Sequence, residues 1–202
     1  MARPRTTSDE AILAATARAL GRLGPGRLTL NAVAAEAGLS PATLVQRFGS
    51  KRGLLLAFAR RAEHGARLPF ERARRDHPSP LDALHSAMAA MAAHVAGPEE
   101  LANSLGFLQL DLTDPEFREH ARAHTRVTRE QIRALLAEAV AAGELAAGTD
   151  PARLARSVQV TYNGTLIVWA LDGEGALPGA VRAGLDDLLA PHRPDPELAE
   201  RQ

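Results

Sequence analysis

Residues Thr29 to Leu55 read TLNAVAAEAGLSPATLVQRFGSKRGLL, and the fold is decided here. Thr29 is placed to cap a short helix whose inner face is Leu30, Val33, Ala34 and Ala37. Gly38 permits the left-handed backbone that ends it, Leu39 plugs the core, and Ser40-Pro41 starts the next helix with proline at its first position. Gly38-Leu39-Ser40 has the length of the turn in a helix-turn-helix unit. On the second helix Leu44 and Phe48 lie one turn apart and face inward, which puts Ala42 and Gln46 opposite them and Thr43 and Val45 on the flanks. The outward face is therefore small and neutral, where a merely solvated helix would carry Glu, Lys and Arg. Such a face suits a DNA major groove: small side chains permit close approach, and a glutamine can bond adenine through two hydrogen bonds. Ala42, Thr43, Val45 and Gln46 are the expected base contacts. Thr29, Arg47, Lys51 and Arg52 on the rim are the expected phosphate contacts.

Outward from this stretch the chain is helical throughout. Thr7-Ser8-Asp9-Glu10 reads as a capping box, with the Thr7 hydroxyl on the first-turn amides and Glu10 reaching back. Ile12, Ala15, Ala19, Leu20 and Leu23 then keep helical spacing up to Gly24-Pro25-Gly26. Ser50 caps a helix that carries Leu54, Leu55, Phe58 and Ala62 and breaks before Pro69. Further starts lie at Ser79-Pro80, Gly97-Pro98, Asp114-Pro115 and Asp150-Pro151. The helix from Pro151 to about Leu171 is apolar on more than one side, so it is expected to be buried twice, with a second subunit one candidate for the second cover. A last helix spans about Pro178 to Leu189, and the Pro-rich, charged tail from His192 to Gln202 is expected to fray.

Composition agrees with an all-α fold. Of the 202 residues 41 are alanine and seven are aromatic, which favours packed helices over sheets. With no cysteine, disulfides and cysteine-ligated metal sites are excluded, and a reducing, cytoplasmic setting is expected. No apolar run is long enough to cross a bilayer, and Met1-Ala2-Arg3-Pro4-Arg5 leads into no signal-like segment. The formal charge is zero, yet residues 1–52 carry eight basic and three acidic side chains, so +5 on the head is balanced by −5 on the rest. A basic head of this kind suggests a polyanionic partner.

The stretch resembles the DNA-binding domain of the TetR family of bacterial transcriptional regulators. The likeness rests on the Thr29 start, the small-residue run into Ala37-Gly38-Leu39-Ser40, Thr43-Leu44, Phe48, Ser50-Lys51 and Leu54-Leu55, and it extends over residues 8–58. A weaker echo lies at Ala139 to Ala155. The chain departs from the family pattern at Val45, where a tyrosine is usual, and at Arg47, where an aromatic or histidine is usual. The resemblance implies a three-helix DNA-binding domain over residues 1–50, a larger helical effector-binding and dimerisation domain over 51–191, and a flexible tail over 192–202. It implies a homodimer that binds a palindromic operator in double-stranded DNA, acts as a repressor, and is released by a small molecule. Its dimer face would include Val158, Gly164, Ile167, Leu171, Val181, Leu185 and Leu188, and its ligand pocket Met88, Met91, Asn103, Phe107, His124, Tyr162 and Trp169. The alternative is a helical small-molecule sensor or scaffold that no longer binds DNA specifically. His120 and His124 stand four apart with Glu116 one turn before, but they sit among Arg118, Arg122 and Arg126, and neither metal nor cofactor is expected. No phosphate loop or nucleophile motif is present, so no enzyme is expected.

Overall fold

The structure is a computed structural model that describes residues 7–93 and 95–194. Its described residues form eleven α-helices and one short 3-10 turn, with no strand. The helices are α1 (Asp9–Arg27), α2 (Leu30–Ala37), α3 (Pro41–Phe48), α4 (Lys51–Gly65), α5 (Leu68–Asp76), α6 (Pro80–Ala92), α7 (Pro98–Leu105), α8 (Phe107–Thr113), α9 (Pro115–Ala141), α10 (Pro151–Asp172) and α11 (Leu177–Leu189). Arg3 and Arg5, and the tail beyond residue 194, lie outside the described residues.

The helix ends follow local chemistry. Thr29 accepts a hydrogen bond from the Ala32 amide, Ser40 from the Thr43 amide, Ser79 from the Asp82 amide, and Asp150 from the amides of Ala152 and Arg153. Each satisfies first-turn donors that the helix itself cannot. At α1 the cap is Ser8, which accepts from the Ala11 amide, one residue later than the expected Thr7 box. Glu10 does not reach back, because its carboxylate is taken by Arg61. Gly24 (φ 68°, ψ 164°) interrupts α1, and Pro25 opens the short turn that completes it. Pro69 begins α5 rather than only ending what precedes it, since proline at the first turn of a helix loses no hydrogen bond. His192 closes the 3-10 turn and its carbonyl accepts from the Ala146 amide, so the expected fraying does not start there.

The chain divides into two compact units: Met1–Gly65 with Glu99–His124, here the head, and Ala66–Pro98 with Thr125–Gln202, here the body. This differs from the expected division at residue 50, because α4, α7, α8 and the first turns of α9 pack with α1 to α3. Ile12, Leu20, Leu28, Val33, Leu44 and Leu54 form the buried centre of the head, together with Phe107 and Phe117. Phe107 packs edge-on against both Phe58 and Phe117, at 5.7 and 5.6 Å between ring centroids. In the body α6 packs against α5 and α11, and α11 against α10, around Phe70, Leu84, Met88, Leu136, Leu154, Val158, Val181 and Leu185.

Candidate nucleic-acid interface

α3 is set at its angle by two glycine-terminated turns. Gly38 takes φ 65° at the end of α2, and the amides of Gly38 and Leu39 bond back to the Ala35 and Ala34 carbonyls. Gly49 takes φ 76° at the end of α3. Nothing lies within 4 Å of a Cβ built on either glycine, so the requirement is one of backbone conformation alone. Leu44 is fully buried behind the helix and Phe48 half-buried beside it. Ala42, Val45, Gln46 and Gly49 are exposed in front, with Val45 48% accessible. The Gln46 side chain makes no hydrogen bond among the described residues. Thr43 is half-buried, and its hydroxyl lies 2.9 Å from the Ser40 hydroxyl.

The rim is less free than the sequence suggests. Arg47 reaches the start of α1, where its Nη1 donates to the Thr7 carbonyl and, at 3.1 Å, to Asp9. Lys51 Nζ donates to the carbonyls of Pro25 at 2.7 Å and Gly26 at 3.4 Å, closing the end of α1. Arg52 donates to Glu116 at 2.7 Å and to Asp114 at 2.8 Å, with its guanidinium 5.3 Å from the centre of the Phe117 ring. Burial pulls the Asp114 carboxyl up, but Arg52 and the amides of Glu116 and Phe117 outweigh it and hold the group below the ordinary aspartate range. Thr29 remains exposed at the start of α2.

Elsewhere on the head, Arg18 and Arg22 both pair with Glu36, whose carboxyl they hold below its ordinary value. Arg61 does the same to Glu10. Segment 99–124 adds six acidic and two basic side chains to this unit, so the compact head carries 12 basic and 10 acidic groups, a net +2. The +5 of residues 1–52 is thus largely offset within the unit that holds them. The histidine pair on α9 is spent on packing: His120 Nδ1 lies 2.8 Å from Glu63, and His124 Nδ1 donates to the Ala62 carbonyl at 3.1 Å. Both contacts tie α9 to α4.

The seven residues expected in a ligand pocket are divided between the two units, Asn103, Phe107 and His124 in the head and the other four in the body. Asn103 Nδ2 donates to the carbonyls of Gly21 and Arg22, fastening α7 to α1, and Phe107 belongs to the head core. Met88 is fully buried in the body, Met91 is half-buried, and Trp169 is buried with its Nε1 donating to the Gly175 carbonyl. Burial among apolar groups pushes the Tyr162 hydroxyl up to about 12. Two clefts open on the body. One, of about 620 Å³, is lined by Ser79, Asp82, His85, Glu144, Arg182 and Arg193 and includes none of the seven expected residues. The other, of about 320 Å³, includes Trp169 alone of the seven, beside Thr165 and Glu174.

The expected dimer face also divides. Val158, Val181 and Leu185 are buried inside the body, so they cannot meet a partner. Leu188 is half-buried. Gly164, Ile167 and Leu171 are exposed, and Val160 and Val168 join them. The spacing 160, 164, 167, 168, 171 is one continuous helical stripe, with Val160 67% and Leu171 80% accessible. Sequence reasoning missed Val160 and Val168 because a helix apolar all round gives no phase. Once Val158 and Tyr162 are known to point inward, the phase follows.

With this geometry in place, the comparisons with known proteins agree on one family. Residues 12–58 match the model described as bacterial regulatory proteins, tetR family, and residues 107–185 match the tetracyclin repressor-like C-terminal domain. The chain belongs to the TetR family of bacterial regulators. It is similar to the TetR family transcriptional regulator PfmR from Thermus thermophilus, at 27% identity and TM-score 0.67, over 89% of this chain and 97% of that one. It shares its fold with a TetR transcription regulator from Haloarcula marismortui, at 20% identity and TM-score 0.74, over 90% and 96% of the two chains. The same holds for SmeT, the repressor of the Stenotrophomonas maltophilia multidrug efflux pump SmeDEF, at 24% identity and TM-score 0.69, over 94% and 92%. SmeT is matched as its triclosan complex as well. No curated protein matches the chain. Among the described residues no helix is long and apolar enough to cross a membrane.

Proposed function

We propose that this chain is a homodimeric, cytoplasmic transcriptional repressor that binds a palindromic operator through α3 and is released by a small molecule. The observation that carries the reading is the outward face of α3, where Ala42, Val45, Gln46 and Gly49 stand exposed and Gln46 has no partner among the described residues. A helix held by a buried Leu44 and presenting small side chains is built to enter a groove. The apolar stripe on α10 supports a second copy as partner, since a lone soluble chain rarely leaves so continuous an apolar strip to water. Two copies related by a two-fold axis would read two half-sites about one helical turn apart.

Phosphate contacts rank by what each group has left. Thr29 and Asn31 at the start of α2 are exposed, and the Thr29 hydroxyl proton remains free to donate. Lys51 gives two of its three donors to the Pro25 and Gly26 carbonyls and keeps one. Arg47 engages one terminal nitrogen and keeps donors on the other. Arg52 is neutralised by two carboxylates and is the least suited. Ligand release takes its support from SmeT, matched as a triclosan complex. No catalytic role is proposed. The test is fluorescence anisotropy with the duplex upstream of the chain's own gene at several salt concentrations. Binding that weakens steeply with salt is expected. Absence of salt-sensitive binding to that duplex and to a randomised pool leaves the scaffold alternative in its place. Titration of candidate effectors while following emission of Trp169, the single tryptophan, tests release.

A further inference from the structure

We infer that α3 reads each half-site at a short thymine- and adenine-containing step, and that this helix does not read guanine. The inference rests on the proposed function and deepens it. At about 100° per residue, Val45, Gly49, Ala42 and Gln46 fall within an arc of about 100°, opposite Leu44 and Phe48. All four are exposed. This arc carries one side chain able to hydrogen-bond a base edge, Gln46, and one apolar side chain long enough to reach past the backbone, Val45.

The flanking residues sharpen the point. Ala42 and Gly49 stand one turn to either side of Gln46 and carry almost no side chain, so the helix axis can come close to the bases and the amide of Gln46 meets no competing group. A carboxamide sets an NH2 donor group beside a carbonyl acceptor, and used together they complement adenine N7 and N6. Val45 offers neither, and the major-groove feature it complements is the C5 methyl of thymine. Reading guanine at O6 and N7 calls for two donors from Arg or Lys. Arg47, the one such residue on α3, is turned to Thr7 and Asp9. Lys51 is turned to Pro25 and Gly26, and Arg52 to Asp114 and Glu116. Thr43 lies outside this arc, half-buried, with its hydroxyl hydrogen-bonded to that of Ser40. The face therefore distinguishes methyl from no methyl and adenine from guanine, and has no other polar group with which to specify a base.

The test begins with selection of bound duplexes from a randomised pool, which supplies the half-site. In that duplex each thymine is replaced singly by deoxyuracil, which removes only the methyl, and each adenine by 7-deazaadenine, which removes only N7. One thymine per half-site is expected to weaken binding about fourfold when its methyl is lost. One adjacent adenine is expected to weaken binding about 5- to 150-fold when N7 is lost. Val45→Ala should abolish sensitivity to the first replacement and Gln46→Ala to the second, with each variant still sensitive to the other. A selected core in which removal of guanine N7 causes the largest loss overturns the inference, as does binding indifferent to every thymine methyl and adenine N7. A pool from which nothing is retained removes the regulator reading itself, a result distinct from retention of a guanine-rich site.

Discussion

One face of α3 and its terminal glycine leaves Ala42, Val45, Gln46 and Gly49 uncovered, and one stripe of α10 leaves Val160, Gly164, Ile167, Val168 and Leu171 uncovered. Both faces are opposite a buried side, Leu44 behind one and Val158 with Tyr162 behind the other. They differ in what would complete them. The α10 stripe holds four branched aliphatic side chains and a glycine, with exposed Asn163 at its border, and would be completed by removing water from a like surface. The α3 face exposes one aliphatic side chain and one carboxamide, too little apolar area for a stable protein contact but enough polarity to read an edge. The difference teaches that exposure alone does not name a partner: the ratio of apolar area to directional groups does.

The largest expected effect comes from breaking the α10 face. Ile167→Glu with Leu171→Glu should give a monomer in analytical ultracentrifugation and lower operator affinity by about 100-fold or more, since the second half-site then binds as a separate molecule. A dimer that survives both changes would show that the stripe is not the interface. Next is the support behind α3. Leu44→Ala should cost about 2–5 kcal/mol in urea denaturation, because a fully buried leucine leaves a cavity, and operator binding should go with it while the isolated change leaves the α10 stripe untouched. An effect below this range would mean that α3 repacks without its anchor.

A smaller effect separates the rim from the reading face. If Lys51 spends its remaining donor on a phosphate, Lys51→Ala should lower the slope of log affinity against log salt by about one per subunit and weaken all sequences alike. The Arg52→Ala slope should stay at the wild-type value, since that guanidinium already faces Asp114 and Glu116. Equal slopes for the two variants would assign Lys51 to closing α1 alone.

The smallest effect concerns Asp111 on α8. Burial without a charged partner among the described residues raises its carboxyl from 3.8 to about 6. A folded-state value above the unfolded one means that the folded chain holds the proton more tightly, so stability falls as pH rises from about 4 to 6 and stays lowered above that. Asp111→Asn should therefore match wild type near pH 4 and exceed it at pH 7. A stability gap of the same size at both pH values would exclude ionisation as its source.

Much of this molecule is legible in order along the chain. Thr29, Ser40, Ser79 and Asp150 cap helices where the sequence places them, and Gly38 takes the left-handed turn. These are local events, governed by a side chain reaching amides two or three residues away. The inward set Leu44 and Phe48 is equally plain, because a two-turn helix with two large apolar residues has one way to face. What is not legible is decided across distance. Arg47 meets a carbonyl 40 residues away, Arg52 a carboxylate 64 residues away, and Asn103 a carbonyl 82 residues away. Phe107 has the sequence setting of a pocket residue, yet it is the ring between Phe58 and Phe117. No local pattern encodes these pairings.

From chain order alone follow the helical fold, the starts of α2, α3, α6 and α10, the turn that carries α3, and the short face of α3 that looks outward. Each follows from residues within a turn or two of one another. It took the folded arrangement to decide which of the cations near α3 keep donors to spare, which side of the apolar α10 stays exposed, and that acidic residues 99–119 join the basic head and reduce its charge to +2. Charge and burial depend on what is brought near in space, and chain order sets that only through the fold.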